Sequence, residues 1–450
     1  MTTLGAAVAV GVAAGWLASN GCMSRPSPAP LPRIEQARVG SRLVLAVSAR
    51  DERGGVFTLA GFALETLELV WQLPRRVVEQ VVAVDDAQHT LWVVHERQLR
   101  QGGVPHTVFE LQGLLPAGTT APPYEFTRER CPGRPQEVLG GRGILALAPG
   151  GEVRLFEPAT GQLLIATPPA LQAAKCGDLE LSLVGDQLTL LPVSGTIMTP
   201  RLRGVATVDL DDAVRGGALR FATARPVLQL TGPENGLDLL ALSPGARWVA
   251  TRITGSGLAH LVISDVATGR RAVDRPLVPG GRVAFVDDWT ALLTTPEGVV
   301  IVDLAYGASK LVEIPGCCRD LTPVLGGRLW WATGAGVGVA LEVGSGRSVS
   351  VPANLGAPLE FAAALWTLDG PPACQAGTYR LRRIAADLSL QPPVEVPLPA
   401  THLLGSTSDR VILGAECGST LELASFAPAS GAWLRRRIPL GRLGMLGPDD

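Results

Sequence analysis

The chain has 450 residues and a formal net charge of −2, with 18 % charged residues, 53 Gly and 36 Pro. No long basic run or basic helix is present, which excludes a protein that follows a nucleic-acid backbone by charge. A chain of this length exceeds the usual size of one hydrophobic core, whereas repeat architectures escape that limit because each unit packs only on its neighbours.

The first 22 residues differ from the rest of the chain. Leu4 to Leu17 are apolar or small, a length typical of the central region of a signal peptide and too short for a membrane span. Ser19-Asn20-Gly21-Cys22 resembles a bacterial lipobox, although the family has Leu where this chain has Ser19. The resemblance implies lipidation at Cys22. Ordinary signal-peptide cleavage and an uncleaved anchor stay open as alternatives.

A proline-rich segment follows the cysteine. Ser24 to Pro32 contains a proline at nearly every second position and is expected to form a stiff, extended spacer. The sequence therefore predicts three parts: a signal or lipobox-like segment (1–22), a proline-rich linker (23–40) and a β-propeller (41–450).

A spaced repeat indicates the fold of the third part. An acidic residue ends an apolar run and precedes a glycine by four positions, and it recurs about every 40 residues in the second half of the chain. The segments are Glu157–Gly161, Asp265–Gly269, Asp303–Gly307 and Glu342–Gly346. Tryptophans keep a similar spacing at Trp248, Trp289, Trp330 and Trp366. Four strand-like runs per period predict an all-β, single β-propeller of four-stranded blades. We expect the acid-to-glycine segments to be turns between the third and fourth strands, and the tryptophans to pack between blades.

The blade count and the ring closure follow from the same division. The chain divides into nine units, and propellers usually have four to eight blades, so we expect eight or nine within a range of seven to nine. The first unit, Arg42 to Pro74, shows three strands, and a spare strand, Arg442–Leu446, lies at the C-terminus. We therefore expect the C-terminal strand to complete the first blade and close the ring. Arg435-Arg436-Arg437 falls on a predicted outermost strand, where charge protects an edge; contact with anionic lipid is the alternative.

The turn sequences Pro158-Ala159-Thr160-Gly161-Gln162 and Val266-Ala267-Thr268-Gly269-Arg270 resemble the D-x-x-T-G turn of bacterial PQQ-like, YVTN-like and WD40-like repeats. The resemblance covers most of residues 40–446. It implies the fold and leaves the activity open.

Seven cysteines include Cys22, which leaves six for pairing. Cys131 and Cys176, and likewise Cys374 and Cys417, lie about one blade length apart, so each pair would occupy matching points of adjacent blades. We expect both disulfides, and with less support a bridge between the neighbours Cys317 and Cys318. Disulfides indicate an oxidising, extracytoplasmic compartment, periplasmic or at the cell surface.

Three predicted loops between the second and third strands are long, and long loops on a rigid scaffold concentrate binding residues. They are Arg97–His106, Ser194–Arg203 and Asp369–Gly377. We expect a protein partner to dock there. The candidate residues are Arg100, His106, Arg201, Arg203 and Gln375.

Motifs for chemistry were not found. The five histidines form no metal-ligand pattern, and no nucleophile elbow or nucleotide-binding loop occurs. Asp209-Leu210-Asp211-Asp212 is interpreted as a solvated turn, with a calcium site as the alternative. No catalytic residue, metal or cofactor is assigned.

The sequence favours an exported, membrane-tethered protein-binding or scaffold module. The alternatives are a propeller enzyme, such as a quinoprotein-like oxidoreductase or a lactonase, and a carbohydrate- or cell-wall-binding module.

Overall fold

The structure is a computed structural model. It describes residues 32–39, 42–51, 54–75, 79–85, 90–101, 104–114, 124–127, 136–139, 142–148, 152–167, 179–184, 187–194, 201–202, 206–221, 236–245, 247–255, 258–278, 281–314, 320–334, 336–353, 355, 357–371, 374–400, 402–418 and 420–443. Almost all of the described secondary structure is β-strand. The predicted all-β, single β-propeller of four-stranded blades is confirmed.

The strands of the described residues form nine sheets, numbered here in chain order, each built from consecutive antiparallel strands. Sheet 1 contains β1 (Pro32–Val39), β2 (Arg42–Asp51), β3 (Gly54–Ala63) and β4 (Leu69–Arg75). Sheet 2 contains β5 (Glu79–Asp85), β6 (Thr90–Gln101), β7 (Val104–Leu114) and β8 (Tyr124–Thr127). Sheet 3 contains β9 (Gln136–Val138), β10 (Gly143–Ala148), β11 (Glu152–Glu157) and β12 (Gln162–Ala166). Sheet 4 contains β13 (Leu179–Val184), β14 (Gln187–Ser194), β15 (Arg201–Leu202) and β16 (Ala206–Asp209).

The remaining five sheets repeat the pattern. Sheet 5 contains β17 (Gly236–Leu242), β18 (Trp248–Gly255), β19 (Leu258–Asp265) and β20 (Arg271–Pro276). Sheet 6 contains β21 (Val283–Phe285), β22 (Thr290–Thr295), β23 (Gly298–Asp303) and β24 (Ser309–Glu313). Sheet 7 contains β25 (Asp320–Val324), β26 (Leu329–Thr333), β27 (Val337–Glu342) and β28 (Arg347–Pro352). Sheet 8 contains β29 (Leu359–Phe361), β30 (Ala364–Asp369), β31 (Tyr379–Ala385) and β32 (Val394–Val396). Sheet 9 contains β33 (His402–Ser406), β34 (Val411–Cys417), β35 (Thr420–Ala427) and β36 (Ala432–Pro439), followed by a short 3-10 helix (Leu440–Leu443).

Sheet 4 departs from the common pattern. β15 and β16 both pair with β14, so together they occupy the third strand position. The chain then forms α1 (Leu210–Gly216), whose buried residues Leu210 and Ala213 join the hydrophobic cluster between sheets 3 and 4. Asp209 is the N-cap of α1, and its side chain accepts a hydrogen bond from the backbone N–H of Asp212. The acidic run interpreted as a turn is therefore the start of a helix.

Hydrophobic clusters fill the spaces between neighbouring sheets, as blade-on-blade packing requires. Separate clusters join sheets 1 and 2, 2 and 3, 3 and 4, 5 and 6, 6 and 7, 7 and 8, and 8 and 9. The acid-to-glycine turns connect the third and fourth strands, as predicted. In one of them the amide N–H of Gly269 donates to the carbonyl of Asp265 over 2.8 Å, and Gly269 has a φ of 70°, a conformation that favours glycine.

The ring closes differently from the prediction. Sheet 1 supplies its own inner strand, β1, which lies in the segment predicted to be linker. Residues 442–443, the described part of the predicted C-terminal strand 442–446, belong to a 3-10 helix and not to sheet 1. β1 instead contacts β33 and β34 of sheet 9. One cluster joins sheets 1 and 9 and includes Leu43, Phe62, Ile412 and Leu423. The tail adds buried Leu443 to this cluster, and Thr58 Oγ1 donates to the Leu443 carbonyl over 3.1 Å.

An arginine completes this closure at the rim. Arg436 lies on β36, the outermost strand of sheet 9, as predicted. Its Nε donates to the Thr66 carbonyl over 2.8 Å, and its Nη2 lies 2.6 Å from Glu68 Oε1, so it ties the last sheet to a turn of the first. Lys310 and Arg347 make similar bonds to the next sheet, donating to the carbonyls of Ser345 and Asp387 over 2.8 and 2.7 Å. Arg436 is therefore a structural contact as well as a solubilising charge.

The tryptophan prediction holds at three positions. Trp248, Trp330 and Trp366 are buried between sheets. The prediction is wrong for Trp289, which is 47 % exposed. It stands one residue before β22, in the turn that follows β21, where its side chain leaves the packed interface.

Candidate binding surface

The order of strands defines two faces of the propeller. Within a sheet, the strands from inside to outside are called a, b, c and d. The a–b and c–d turns lie on one face, named here the a–b face. The b–c and d–a connections lie on the opposite one, the b–c face. The three loops predicted to bind a partner all belong to the b–c face.

A two-stranded ribbon extends from the b–c face of sheet 2. β5 pairs with β6 up to His95, and β8 pairs with β7 up to Phe109. Beyond these points β6 and β7 pair with each other through five further residue pairs, from Arg97 with Val108 to Gln101 with Val104. Among the described residues, no flanking strand accompanies this part. At about 3.3 Å per residue it extends roughly 13 Å. The segment predicted as the loop 97–106 is therefore a paired ribbon.

A disulfide fixes a second element of this face. Cys374 lies in the connection between β30 and β31, and Cys417 is the last residue of β34 in the next sheet. Their Cα atoms lie 5.5 Å apart and the sulfur atoms are bonded, so the predicted Cys374–Cys417 disulfide is present. It joins the b–c connections of sheets 8 and 9. Cys131, Cys176, Cys317 and Cys318 lie outside the described residues.

The connection that carries Cys374 is also held from within. The buried Tyr379 donates its hydroxyl hydrogen bond to the Gln375 carbonyl over 3.2 Å, and burial raises the pKa of this phenol despite that contact. Both Nε and Nη2 of Arg382 lie 3.2 Å from Asp369 Oδ2, which anchors the strand ends below the connection. Gln375 itself is exposed. The connection therefore presents an exposed amide side chain on a backbone fixed at several points.

A partly buried carboxylate joins this face to the ring closure. Glu416, on β34 beside the disulfide, has a side chain that is 11 % exposed. It accepts a hydrogen bond from the backbone N–H of Ile34 on β1, and its Oε2 lies 3.0 Å from Nε2 of His402 on β33. Burial opposes its ionisation, but the bonds from His402 and Ile34 outweigh burial and lower the pKa of Glu416. The charge on Glu416 therefore stabilises the contact between the last sheet and the first strand.

The candidate residues lie as follows. Arg100 and His106 are on the ribbon, where His106 pairs with Leu99. Arg201 begins β15 and pairs with Ser194 at the b–c end of sheet 4. Gln375 is on the disulfide-fixed connection, whereas Arg203 and Cys22 lie outside the described residues. The b–c face thus carries each described candidate, although they are distributed over three sheets rather than gathered in one cavity.

Metal-ligating and acidic side chains are distributed as follows across the described residues. Within them no three His, Cys, Asp or Glu side chains are placed to hold a metal ion. The acidic residues at α1 form ion pairs. Asp211 Oδ1 lies 2.9 Å from Arg142 Nη2, and Asp212 Oδ1 lies 2.6 Å from Arg215 Nη2. In the same part of the chain, no helix has both the length and the apolar character needed to span a membrane.

No protein-family model and no curated protein matches the chain. Several solved structures are similar to this chain. The structure of a eukaryotic initiation factor has 11 % identity and a TM-score of 0.45, over 83 % of this chain and 89 % of that one. Apo AztD from Citrobacter koseri has 12 % identity and a TM-score of 0.40, and the match covers 78 % of this chain and 95 % of that one. The β-propeller domain of the Trilobed protease from Pyrococcus furiosus has 9 % identity and a TM-score of 0.32, and the match covers 72 % of this chain and 93 % of that one. They carry no argument about function.

Proposed function

We propose that the protein is an exported β-propeller, tethered to a membrane through lipidated Cys22, and that it binds a partner protein on its b–c face. The observation that carries the binding role is the ribbon 97–108. Among the described residues, this paired hairpin continues past the flanking strands of sheet 2. It gives a projection along whose edges no further described strand pairs, a feature that proteins use to accept a partner strand.

The connection between β30 and β31, which the disulfide fixes, also supports partner binding on the b–c face. A recognition loop binds more tightly when its backbone is already ordered, because less conformational entropy is lost on association. The Cys374–Cys417 bond, the Tyr379 contact and the Asp369–Arg382 pair order this connection while Gln375 stays exposed. The ribbon and the connection together would give a partner two fixed contact regions.

The proposed location outside the cytoplasm has a separate basis. Structural disulfides form and persist in oxidising compartments, and the observed Cys374–Cys417 bond is of this kind. The apolar segment before Cys22 and the proline-rich spacer after it are what a secreted, lipid-anchored protein requires. A tether at the N-terminus would leave the propeller free to engage a neighbouring membrane or periplasmic protein.

Site-specific photo-crosslinking in a bacterial host tests the binding role. A photoreactive phenylalanine analogue is placed at His106 on the ribbon or at Gln375 on the connection, and at the rim position Arg435 as the matched control. We expect a discrete adduct from both b–c face positions and none from the rim, because a bound partner would contact the face alone. Adducts from the rim with none from either face position would refute the proposed surface.

A further inference from the structure

Exposed apolar side chains concentrate on sheet 6. Trp289, in its a–b turn, is 47 % exposed, and Tyr306, in its c–d turn, is 88 % exposed. Both turns belong to the a–b face, opposite the face proposed above to bind a partner. Leu311, on β24, is 44 % exposed, so sheet 6 carries three of the six exposed large hydrophobic side chains of the described residues. Apolar residues exposed singly need no explanation, but a group on one sheet marks an interaction site.

The two turns adjoin and hydrogen bonds fix their backbones. The backbone N–H groups of Trp289 and Thr290 both donate to Asp287 Oδ1 over 2.7 Å. The Trp289 carbonyl accepts from the N–H of Leu304 over 2.8 Å, which joins the a–b turn to the c–d turn that carries Tyr306. The two exposed aromatic residues therefore stand on adjoining turns of ordered backbone.

The turn that carries Tyr306 departs from the repeat. In the other three acid-to-glycine turns, the residue three positions after the acid is serine or threonine, and its hydroxyl donates a hydrogen bond to that acid. These bonds are Thr160 Oγ1 to Glu157 Oε2 over 2.6 Å, Thr268 Oγ1 to Asp265 Oδ1 over 2.9 Å, and Ser345 Oγ to Glu342 Oε2 over 2.5 Å.

Sheet 6 has a tyrosine at this position instead. Among the described residues, the side chain of Asp303 accepts only from the backbone N–H groups of Ala305 and Tyr306, over 2.8 and 3.1 Å. The turn is thus formed without the side chain of Tyr306, and a threonine would serve it as well. The exposed ring therefore contributes nothing to this turn and is available to a partner.

The charge around these turns is negative in excess. The a–b and c–d turns of sheets 5 and 6 carry four carboxylates and two guanidinium groups: Asp265, Asp287, Asp288 and Asp303, and Arg247 and Arg270. One of the guanidinium groups is already paired, because Arg247 Nε lies 3.9 Å from Asp265 Oδ2. Among the described residues, no hydrogen bond reaches Oδ2 of Asp287 or Asp303. These two carboxylates therefore keep an acceptor for a cation from another molecule.

Arg247 shows how a cationic side chain can bind at such turns. Its Cζ lies 3.9 Å from the centre of the Trp289 ring, a close cation–π contact, with the Asp265 carboxylate beside it. Tyr306 and Asp303 supply the same two components, an aromatic ring and a carboxylate, in one turn. Within the described residues, no arginine or lysine lies over the Tyr306 ring. This ring and carboxylate can therefore receive a cationic side chain of a partner.

We propose that Asp287, Trp289, Asp303 and Tyr306, named here the sheet 6 surface, bind a basic segment of a second protein partner. An arginine or lysine of the segment lies on the Tyr306 ring and pairs with Asp303, and a second one pairs with Asp287. An apolar side chain of the segment lies on the exposed part of Trp289. Tryptophan and tyrosine often dominate the energy of protein interfaces. An acidic segment would be repelled by the excess of carboxylates.

Selection from a random dodecapeptide library displayed on phage tests this proposal. The full-length protein, purified in detergent, is the bait, and the variant Trp289→Ala/Tyr306→Thr is used to remove peptides that bind elsewhere. We expect the remaining sequences to be enriched in Arg and Lys. A synthetic peptide of the selected sequence should bind Tyr306→Thr and Asp303→Asn at least about tenfold more weakly than wild type, as for central interface residues. Its affinity should also fall as the ionic strength rises, because exposed charges are screened.

The variants separate a loss of binding from a loss of folding. Tyr306→Thr installs the residue that the turns of Thr160 and Thr268 carry, so the Tm should not fall. Asp303→Asn removes the charge but keeps an oxygen that can accept the two turn N–H groups. Two control variants remove an apolar and an acidic side chain, 48 % and 67 % exposed, from the a–b face of sheets 8 and 9: Leu390→Ala and Asp409→Asn. Both should bind the peptide like wild type.

Three results would overturn the proposal. The first is a set of selected sequences without basic enrichment, and the second is equal binding of the peptide by all variants. The third is failure to select any peptide that depends on the sheet 6 surface. In that case, Trp289-dependent retention on an oligosaccharide array would indicate a glycan site instead.

Discussion

Replacing Glu416 by alanine tests the ring closure between sheet 9 and β1. The substitution removes the acceptor of the Ile34 N–H and of His402 Nε2, and it leaves an N–H group unpaired at a partly buried site. Breaking a fully buried pair costs about 3–5 kcal/mol, and hydrogen bonds to charged groups contribute about 1.5–3 kcal/mol. Because the His402 side chain is 40 % exposed, we expect the free energy of unfolding to fall by an amount near the lower end of these ranges, about 2–3 kcal/mol.

The assay is thermal and urea unfolding at pH 7, followed by intrinsic tryptophan fluorescence. For a cooperative unit of roughly 400 residues, an unfolding entropy of ~2.1 cal/mol/K per residue converts this loss to a decrease of about 3 °C in Tm. Glu416→Gln should lower the free energy of unfolding by about half as much, since its amide oxygen can still accept a hydrogen bond from the backbone N–H of Ile34. Glu395→Ala, an exposed carboxylate on sheet 8, is the matched control and should change the free energy of unfolding by less than about 0.5 kcal/mol.

The pH dependence gives the prediction a second, signed test. The pKa of Glu416 is lower in the folded protein than the ordinary glutamate value of 4.5, so its contribution to stability is complete above the unfolded pKa. It is lost as pH falls through the lower, folded pKa. The difference in the free energy of unfolding between wild type and Glu416→Gln should therefore be largest near neutral pH and shrink as the pH falls below 4.5. A wild-type stability equal to that of Glu416→Ala at pH 7 would refute the assigned role of this carboxylate.

Three further predictions concern other contacts. Arg436→Ala should lower the free energy of unfolding by about 1 kcal/mol, because it loses an exposed ion pair and a carbonyl contact, whereas Arg435→Ala should have no measurable effect in urea unfolding. Reducing the Cys374–Cys417 bond, or replacing both cysteines by serine, should cost up to about 4 kcal/mol in the chain-entropy model, and equal melting of oxidised and reduced protein would contradict this. In a bacterial host, Cys22→Ala should move the protein from the membrane fraction to the soluble fraction. Wild-type protein that is already soluble would rule out the lipid anchor.

The sequence predicted the features that repeat. The spacing of the acid-to-glycine turns and of Trp248, Trp330 and Trp366 specified four-stranded blades, because each repeat must satisfy the same turn geometry and the same packing. Cysteines one blade apart predicted the Cys374–Cys417 bond for the same reason.

The features that do not repeat were not predicted. β1 was assigned to the linker because it begins with a proline and carries several charged residues, which hide a strand that is stabilised by contact with sheet 9. Residues 97–106 of the ribbon were predicted to be a loop, since the arginine and glutamine residues there lack the apolar alternation of a buried strand. Trp289 was expected in the core because it keeps the tryptophan spacing, but the strand after it begins one residue later. Each of these depends on tertiary contacts that a local pattern does not contain.

The most direct test of partner binding on the b–c face is to shorten the ribbon. Residues 98–107 are replaced by Asn-Gly, so that Arg97 and Val108, which already pair, are joined by a two-residue hairpin turn. The partner identified by crosslinking is then titrated against wild type and this variant by isothermal calorimetry. With an unchanged Tm, we expect the affinity to fall at least about tenfold, as when central interface contacts are removed. Unchanged affinity in the folded, shortened protein would contradict the proposed binding role of the ribbon.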